Sequence, residues 1–211
     1  MIPVERSNAT FFTDYTRKVF EALEGIGFTV VSFTTDNHSI NRNSFNKFVE
    51  PGTTYRISYN SDTKTYFLFD GVHLIKSIRN NWLNNKGVFN FPPFEGYIDG
   101  QCASFNHLKK LHKLEKHSII KKAPKLNQTV LYPTNIQRQR VPLALAIIDD
   151  TTIAALADTY NDPISRSTVQ FLKVLQKLWK ILNIRNTTKH WHKNDKDSKP
   201  FTSIFDERLE F

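Results

Sequence analysis

KTYFLFDGVHLIKSIRNNWL, running from Lys64 to Leu83, is the stretch that decides the fold. Lys64 to Phe69 is rich in aromatic and β-branched side chains and follows the turn signal Asn60-Ser61-Asp62, so it predicts a strand. From about Val72 to Asn84 the pattern changes to that of a helix. Asp70 stands at the junction, just past the end of the strand. A buried strand feeding directly into a helix is a building unit of an α/β layer.

The same logic extends upstream. Phe11, Tyr15, Val19 and Leu23 recur every four residues, with Phe12 and Phe20 beside them, and predict an amphipathic helix ended by Gly25 and Gly27. FTVVSFT, Phe28 to Thr34, reads as a buried strand, followed by a polar turn and a short helix in TDNHSINRNSFNKF. Tyr55 to Tyr59 is a further strand candidate. Residues 1–85 thus read helix, strand, helix, strand, helix, an α/β layer.

Downstream the character shifts. GVFNFPPFEGYIDG, residues 87–100, reads as a Pro/Gly/aromatic connector, and nothing beyond it reads as strand. Phe105, Leu108, Leu111 and Leu114 lie on one helical face. Arg140 to Ile148 and Thr151 to Tyr160 predict shorter helices, broken and capped at Asp149-Asp150. Ser167 to Asn186 is the longest predicted helix, capped by its Ser and carrying Leu172, Leu175, Trp179 and Leu182 on one face. Thr187 to Pro200 reads as a loose polar tail, and FTSIFDERLEF as the start of another helix. The fold class expected is α/β plus all-α, with residues 1–85, 86–205 and 206–211 as its parts.

Composition bounds the function. In 211 residues, seventeen Phe against seven Gly describe a folded chain, long enough for one ordinary core or two small lobes. No apolar run approaches the roughly 18 residues of a membrane span, and MIPVERSNAT lacks a secretory pattern, so no membrane partner is expected. The single cysteine, Cys102, suits a reducing compartment, the nucleus or cytoplasm. The net charge of +9 favours an anionic partner. Between Ala103 and Lys125 seven lysines face one acid, Glu115, and Arg138 and Arg140 follow. Two readings of this run stand: a solvated helix face, or a polyanion-binding surface using Lys109, Lys110, Lys113, Lys116, Lys121 and Lys122.

Candidate chemistry is concentrated at two aspartates. Asp36, in VVSFTTDN, and Asp70, in YFLFDGVH, each follow a predicted strand. Open α/β sheets place functional groups at that edge, and carboxylates there can hold Mg²⁺ or Mn²⁺ for phosphodiester chemistry. The competing reading is a turn or helix-cap residue. For His73 the competing reading is a buried helix histidine bonded to a backbone carbonyl. Zinc clusters are not expected: His107, His112 and His117 are five apart, and Cys102 has no CxxC partner.

Taken together, FDGVHLIKSIRNNWL and GFTVVSFTTDNHSIN resemble segments of the catalytic core of P-element and THAP-type DNA transposases. KKAPKLNQTVLYPTNIQRQRVPLALAI and FLKVLQKLWKILNIRN resemble the helical insertion domain that interrupts this core. The resemblance spans about residues 10 to 210. It implies part of an RNase H-like α/β layer for residues 1–85 and a GTP-binding-type insertion domain for residues 86–205. Asp36 then corresponds to the second catalytic acid, a ligand of Mg²⁺ or Mn²⁺, and Asp70 and His73 to the accessory Asp-x-x-His motif. The first and third acids would lie before residue 1 and beyond the insertion, so the chain is expected to be a catalytically incomplete transposase fragment.

Lys125, Arg140 and Val141 match the family's nucleotide contacts, and Trp179 the position where an aromatic stacks on the base. Lys180 stands where the family has an Asp that reads guanine, and a cation cannot accept guanine N–H donors, which counts against GTP as a cofactor. Implied partners are transposon-end DNA and a full-length transposase in a homo-oligomer. The alternative is a non-catalytic DNA-binding or assembly module, a repressor or host adaptor, supported by the basic stretch from Lys109 to Arg140.

Overall fold

The computed structural model describes residues 8–49, 51–57, 63–84, 87–91, 101–160, 162–183, 197, 199 and 206–210. The chain divides into two compact units, Met1–Leu74 and Ile75–Phe211.

The first unit is built around phenylalanine. Helix α1 (Ala9–Gly25) starts at Asn8, whose side chain accepts the Phe11 N–H at 2.8 Å, a helix cap. Strand β1 (Ser32–Thr35) leads through α2 (Ser39–Phe45) to β2 (Tyr55–Ile57) and β3 (Lys64–Phe69). The sheet order is β1-β3-β2: β1 runs parallel to β3, in register from Ser32↔Tyr66 to Thr35↔Phe69, and β2 is antiparallel to β3. Along β3 the side chains alternate, with Thr65 and Phe67 buried and Tyr66 and Leu68 exposed. Phe20, Phe45, Phe48 and Phe67 form the core, joined by Phe33 and Phe69. Its rings meet edge-on or stacked, as in Phe45–Phe67 at 5.0 Å and Phe45–Phe69 at 4.9 Å between centroids.

Two sequence expectations need correcting here. The Phe11, Tyr15 and Val19 stripe of α1 is exposed; the buried face is Thr13, Thr16, Phe20 and Glu24. Two of the polar residues turn inward on partners: Thr13 Oγ1 bonds Ser44 Oγ at 2.9 Å, and Glu24 pairs with the buried Arg56 at 2.6 Å. The Arg56 guanidinium also lies 4.6 Å from the Phe20 ring centroid. Likewise FTVVSFT is not a continuous buried strand, since Phe28 and Val31 are exposed and pairing with β3 begins only at Ser32. Residues 58 and 59 of the predicted Tyr55 to Tyr59 strand lie outside the described residues.

Helix α3 (Gly71–Asn84) carries Ile75, Arg79 and Trp82 into the second unit. There β4 (Val88–Phe91) and β5 (Gln101–Ser104) form an antiparallel pair, so the reading of residues 87–100 as a connector with no strand beyond it is overturned. The reason is visible in VFNF: alternate residues point one way, and Phe89 and Phe91 both stack on Phe171, at 5.2 and 5.3 Å between centroids. Gly87 enters the pair at φ +74°, and its carbonyl accepts the Phe105 N–H at 2.6 Å. Residues 92–100 of the predicted connector lie outside the described residues.

The remainder of the unit is helical: α4 (Phe105–Leu114), α5 (Gln128–Leu131), α6 (Val141–Leu145), α7 (Asp150–Thr159) and α8 (Pro163–Leu182), with short 3-10 turns at Glu115–His117, Gln137–Gln139 and Ala146–Ile148. Trp82 is the hub. It is fully buried, meets Phe105 and Phe171 edge-on at 5.1 Å, and donates its indole N–H to the Ala103 carbonyl at 3.1 Å. Helix α8 begins four residues earlier than the sequence suggests, capped by Asp162 with Pro163 in its first turn. Ser167, the predicted cap, is instead buried within it. A 3-10 turn, Glu207–Glu210, stands where the last segment predicts a helix. Among the described residues no helix is long and apolar enough to cross a membrane.

Candidate functional site

The β1–β3 register carries the first candidate site. Thr35 and Phe69 are paired, so Asp36 and Asp70 are the next residues of two adjacent parallel strands, leaving the sheet at the same edge. The Asp70 N–H donates to the Thr35 carbonyl at 2.8 Å, extending the ladder to the point where the two chains part.

Asp36 is exposed, and its Oδ1 accepts Asn41 Nδ2 at 2.6 Å and the His38 N–H at 3.0 Å. Asp70 Oδ2 accepts the His73 N–H at 3.2 Å and lies 2.6 Å from His73 Nδ1. Both aspartates thereby close local turns, the role the competing reading assigned them. His73 is exposed and held by a carboxylate, so the buried, carbonyl-bonded histidine does not describe it. Burial pushes the Asp70 carboxyl up, but the His73 ring, the His73 and Val72 N–H groups and the His73 charge together hold it below the usual carboxylate range.

The second site lies in the second unit. A cavity of about 580 Å³ opens beside α4, lined by Lys109, Lys110, Lys113 and Lys116 together with His107 and His112. The lysines fall along one face because positions 109, 113 and 116 are spaced by four and three residues. Tyr132, Gln128, Asn106 and Ser104 complete it, and among the described residues lining it there is no Asp or Glu. His112 Nδ1 lies 3.0 Å from the Leu126 carbonyl and His107 Nδ1 2.9 Å from Thr168 Oγ1, which fixes both rings. Burial pushes His107 down; Asp162 opposes this and Lys110 adds to it.

Two of the other lysines are already engaged. Lys122 pairs with Asp158, and Lys125 with Asp149 at 2.5 Å. Lys121 is exposed. Arg138 does not fold toward the lysines: its Nη1 donates to Asn84 Oδ1 at 2.7 Å, and its carbonyl accepts Arg79 Nη2 at 2.9 Å. Arg140 is exposed at the start of α6, directly before Val141.

At the proposed nucleotide positions, Asp149 caps α7 through the Thr151 N–H and hydroxyl, as the sequence indicated, and holds Lys125. Gln176 donates to the Ile148 carbonyl and to Asp150, both at 2.8 Å, bringing α8 to the same junction one turn before Trp179 and Lys180. Trp179 is partly buried against the core of the unit. Sequence reasoning missed the cavity residues His107, His112, Gln128 and Tyr132, since folding brings them together from separate helices. The usable signal was the one-signed lysine run itself.

The family described as TNP-like, GTP-binding insertion domain matches residues 72–195. In structure, the chain is similar to the Drosophila P element transposase in its strand transfer complex, with a TM-score of 0.76 and 18% identity over 97% of this chain and 44% of that one. The chain therefore spans less than half the length of the transposase it matches. No match was found among curated proteins. The resemblance read from the sequence is borne out in fold and in the insertion-domain family.

Proposed function

The chain belongs to the family of TNP-like GTP-binding insertion domains and is P-element-like in fold, and from that premise we propose that it contributes to DNA transposition in the nucleus as part of a transposase. In this reading residues 1–85 are part of an RNase H-like layer, Asp36 is one acid of a metal-dependent phosphodiester-cleaving site, and Asp70 and His73 are its accessory pair. The observation that carries it is the register Thr35↔Phe69, which sets the two carboxylates side by side at one sheet edge.

Oxygen donors of this kind suit Mg²⁺ or Mn²⁺. Asp36 and Asp70 stand at the ends of adjacent strands, but among the described residues no group of three His, Cys, Asp or Glu is placed to hold a metal ion. The two carboxylates therefore supply part of a ligand set. When bound, such an ion would activate water or a 3′-hydroxyl for attack on a phosphodiester. His73 holds Asp70 in place through its ring, a positioning role. GTP is not part of the proposal, because the Lys125 ammonium is held by Asp149 and a lysine occupies position 180.

The DNA itself would be held through the four lysines of the α4 cavity, which have no acidic partner among the described residues. The test is Mn²⁺ titration followed by paramagnetic broadening of backbone resonances. Broadening centred on Asp36 and Asp70 and lost in Asp36→Asn supports the reading; broadening elsewhere, or unchanged in that variant, refutes it. The chain alone is expected to leave transposon-end DNA uncut with either metal. Metal-dependent nicking that vanishes in Asp36→Ala would show that it needs no further acids.

A further inference from the structure

We propose that the α4 cavity is a site for an unpaired nucleotide of a DNA strand, with its phosphates along the lysines and its base against Tyr132. This rests on the DNA-binding reading above and adds the form of the DNA.

Size is the first argument. At about 580 Å³ the cavity falls within the roughly 300–1,000 Å³ of sites that enclose a single small molecule. A duplex cannot enter such a space, whereas a base and sugar released from pairing can. The charge is the second. Lys109 and Lys116 are seven positions apart, about 10 Å at helical rise. A row of this length reaches well past a single phosphate group, so it meets successive phosphates of a strand. A free nucleotide concentrates its charge at one end and would leave half the row unused.

The walls supply the rest. Tyr132 presents a ring that is 54% exposed in a cavity otherwise lined by polar side chains. Lys109 Nζ lies 5.0 Å from its centroid, so a cation and an aromatic face are offered at the same place. Aromatic platforms beside a basic track are how proteins hold single strands without reading sequence, since every base has a π-face. Gln128 and Asn106 provide neutral donors and acceptors that reach a base edge whichever base is present. An exposed tyrosine at this position is dispensable for packing, which makes the site testable without unfolding the protein.

The experiment is fluorescence anisotropy at low salt with the full chain, using a short oligothymidylate strand and a duplex of equal length, on the native protein, Tyr132→Ala and Tyr132→Phe. Loss of one stacked base corresponds to about 5- to 150-fold weaker strand binding in Tyr132→Ala. Tyr132→Phe keeps the ring and is expected to bind the strand within about twofold of native, and duplex binding should move little in either variant. Equal losses for strand and duplex, or an unchanged strand affinity in Tyr132→Ala, overturn the proposal while leaving general DNA binding intact. Full competition by thymidine monophosphate at equal nucleotide concentration would make a free nucleotide the ligand and also overturn it. If neither strand nor duplex binds, the DNA-binding reading itself fails.

Discussion

Replacing Lys109, Lys110 and Lys113 together by Ala should nearly abolish the salt dependence of duplex DNA binding. The lysine run contains seven ammonium groups, but Lys122 and Lys125 are paired with Asp158 and Asp149, and Lys121 is not among the residues lining the cavity. Four remain as phosphate partners: Lys109, Lys110, Lys113 and Lys116. At about −0.9 per phosphate neutralised, log affinity should fall against log salt with a slope of about −3.6. Between 50 and 200 mM salt this is a loss of about 150-fold. The triple variant keeps one partner, so its slope should be about −0.9 and its loss between the same salt concentrations about 3- to 4-fold. The fold should survive, since Ala is a strong helix former and an exposed Lys109 ring contact contributes only about 0.5–1 kcal/mol. Filter binding at a series of salt concentrations reads the slopes directly. A native slope near zero would refute the reasoning, and so would a Lys122→Ala variant that flattens the slope as much as the triple one.

Three further expectations test the architecture. Trp82→Ala should destabilise the second unit by about 3–5 kcal/mol, and Trp82→Phe by about 0.5–1.5 kcal/mol through the lost hydrogen bond to the Ala103 carbonyl, read by denaturant titration. Glu24→Ala should cost about 3–5 kcal/mol because it breaks the buried ion pair with Arg56, and the double variant Glu24→Leu/Arg56→Leu should cost less than the single one. His73→Ala should raise the Asp70 titration midpoint toward the ordinary carboxylate range in an NMR pH series. Because folding lowers that midpoint, the stability Asp70 contributes is present above the unfolded value and is lost as pH falls through the folded one.

Much of the architecture was legible where sequence and burial share one period. β3 was readable from its aromatic and β-branched composition, and α4 from Phe105, Leu108 and Leu111, which repeat at helical spacing and are buried, although Leu114 on the same stripe is exposed. Where they diverged, polar partners were responsible. On α1 the eye follows Phe11, Tyr15 and Val19, yet Thr13 and Glu24 are inward because Ser44 and Arg56 await them from other elements. No local pattern reports a partner some thirty residues away. The β4–β5 pair was hidden for another reason: its strands are four residues each, and the composition between them is that of a connector. The aspartates at the strand ends were legible, and so was the lysine run. The cavity was not, since Tyr132 joins α4 only through the chain that folds back by way of Leu126 and α5.

The core of the first unit also explains why Asp36 and Asp70 sit where they do. Parallel pairs are free to slip by a residue unless one face is fixed, and a slip would turn every side chain of the strand over. Phe33 on β1 and Phe67 on β3 are register partners, and their rings meet edge-on at 5.9 Å. Phe20 from α1 contacts both rings, at 5.4 and 6.1 Å, and Phe45 from α2 does the same at 5.9 and 5.0 Å. A one-residue slip would exchange Phe33 for Ser32 or Thr34 in that cluster, and Phe67 for Tyr66 or Leu68 if β3 moved instead. Either leaves a ring without its neighbours and a polar or misshapen group in its place. The register that aligns Thr35 with Phe69 is therefore set by packing two residues upstream, and the two carboxylates are brought to one edge by the phenylalanines. Their own hydrogen bonds, to Asn41 and His38 and to His73, then orient them.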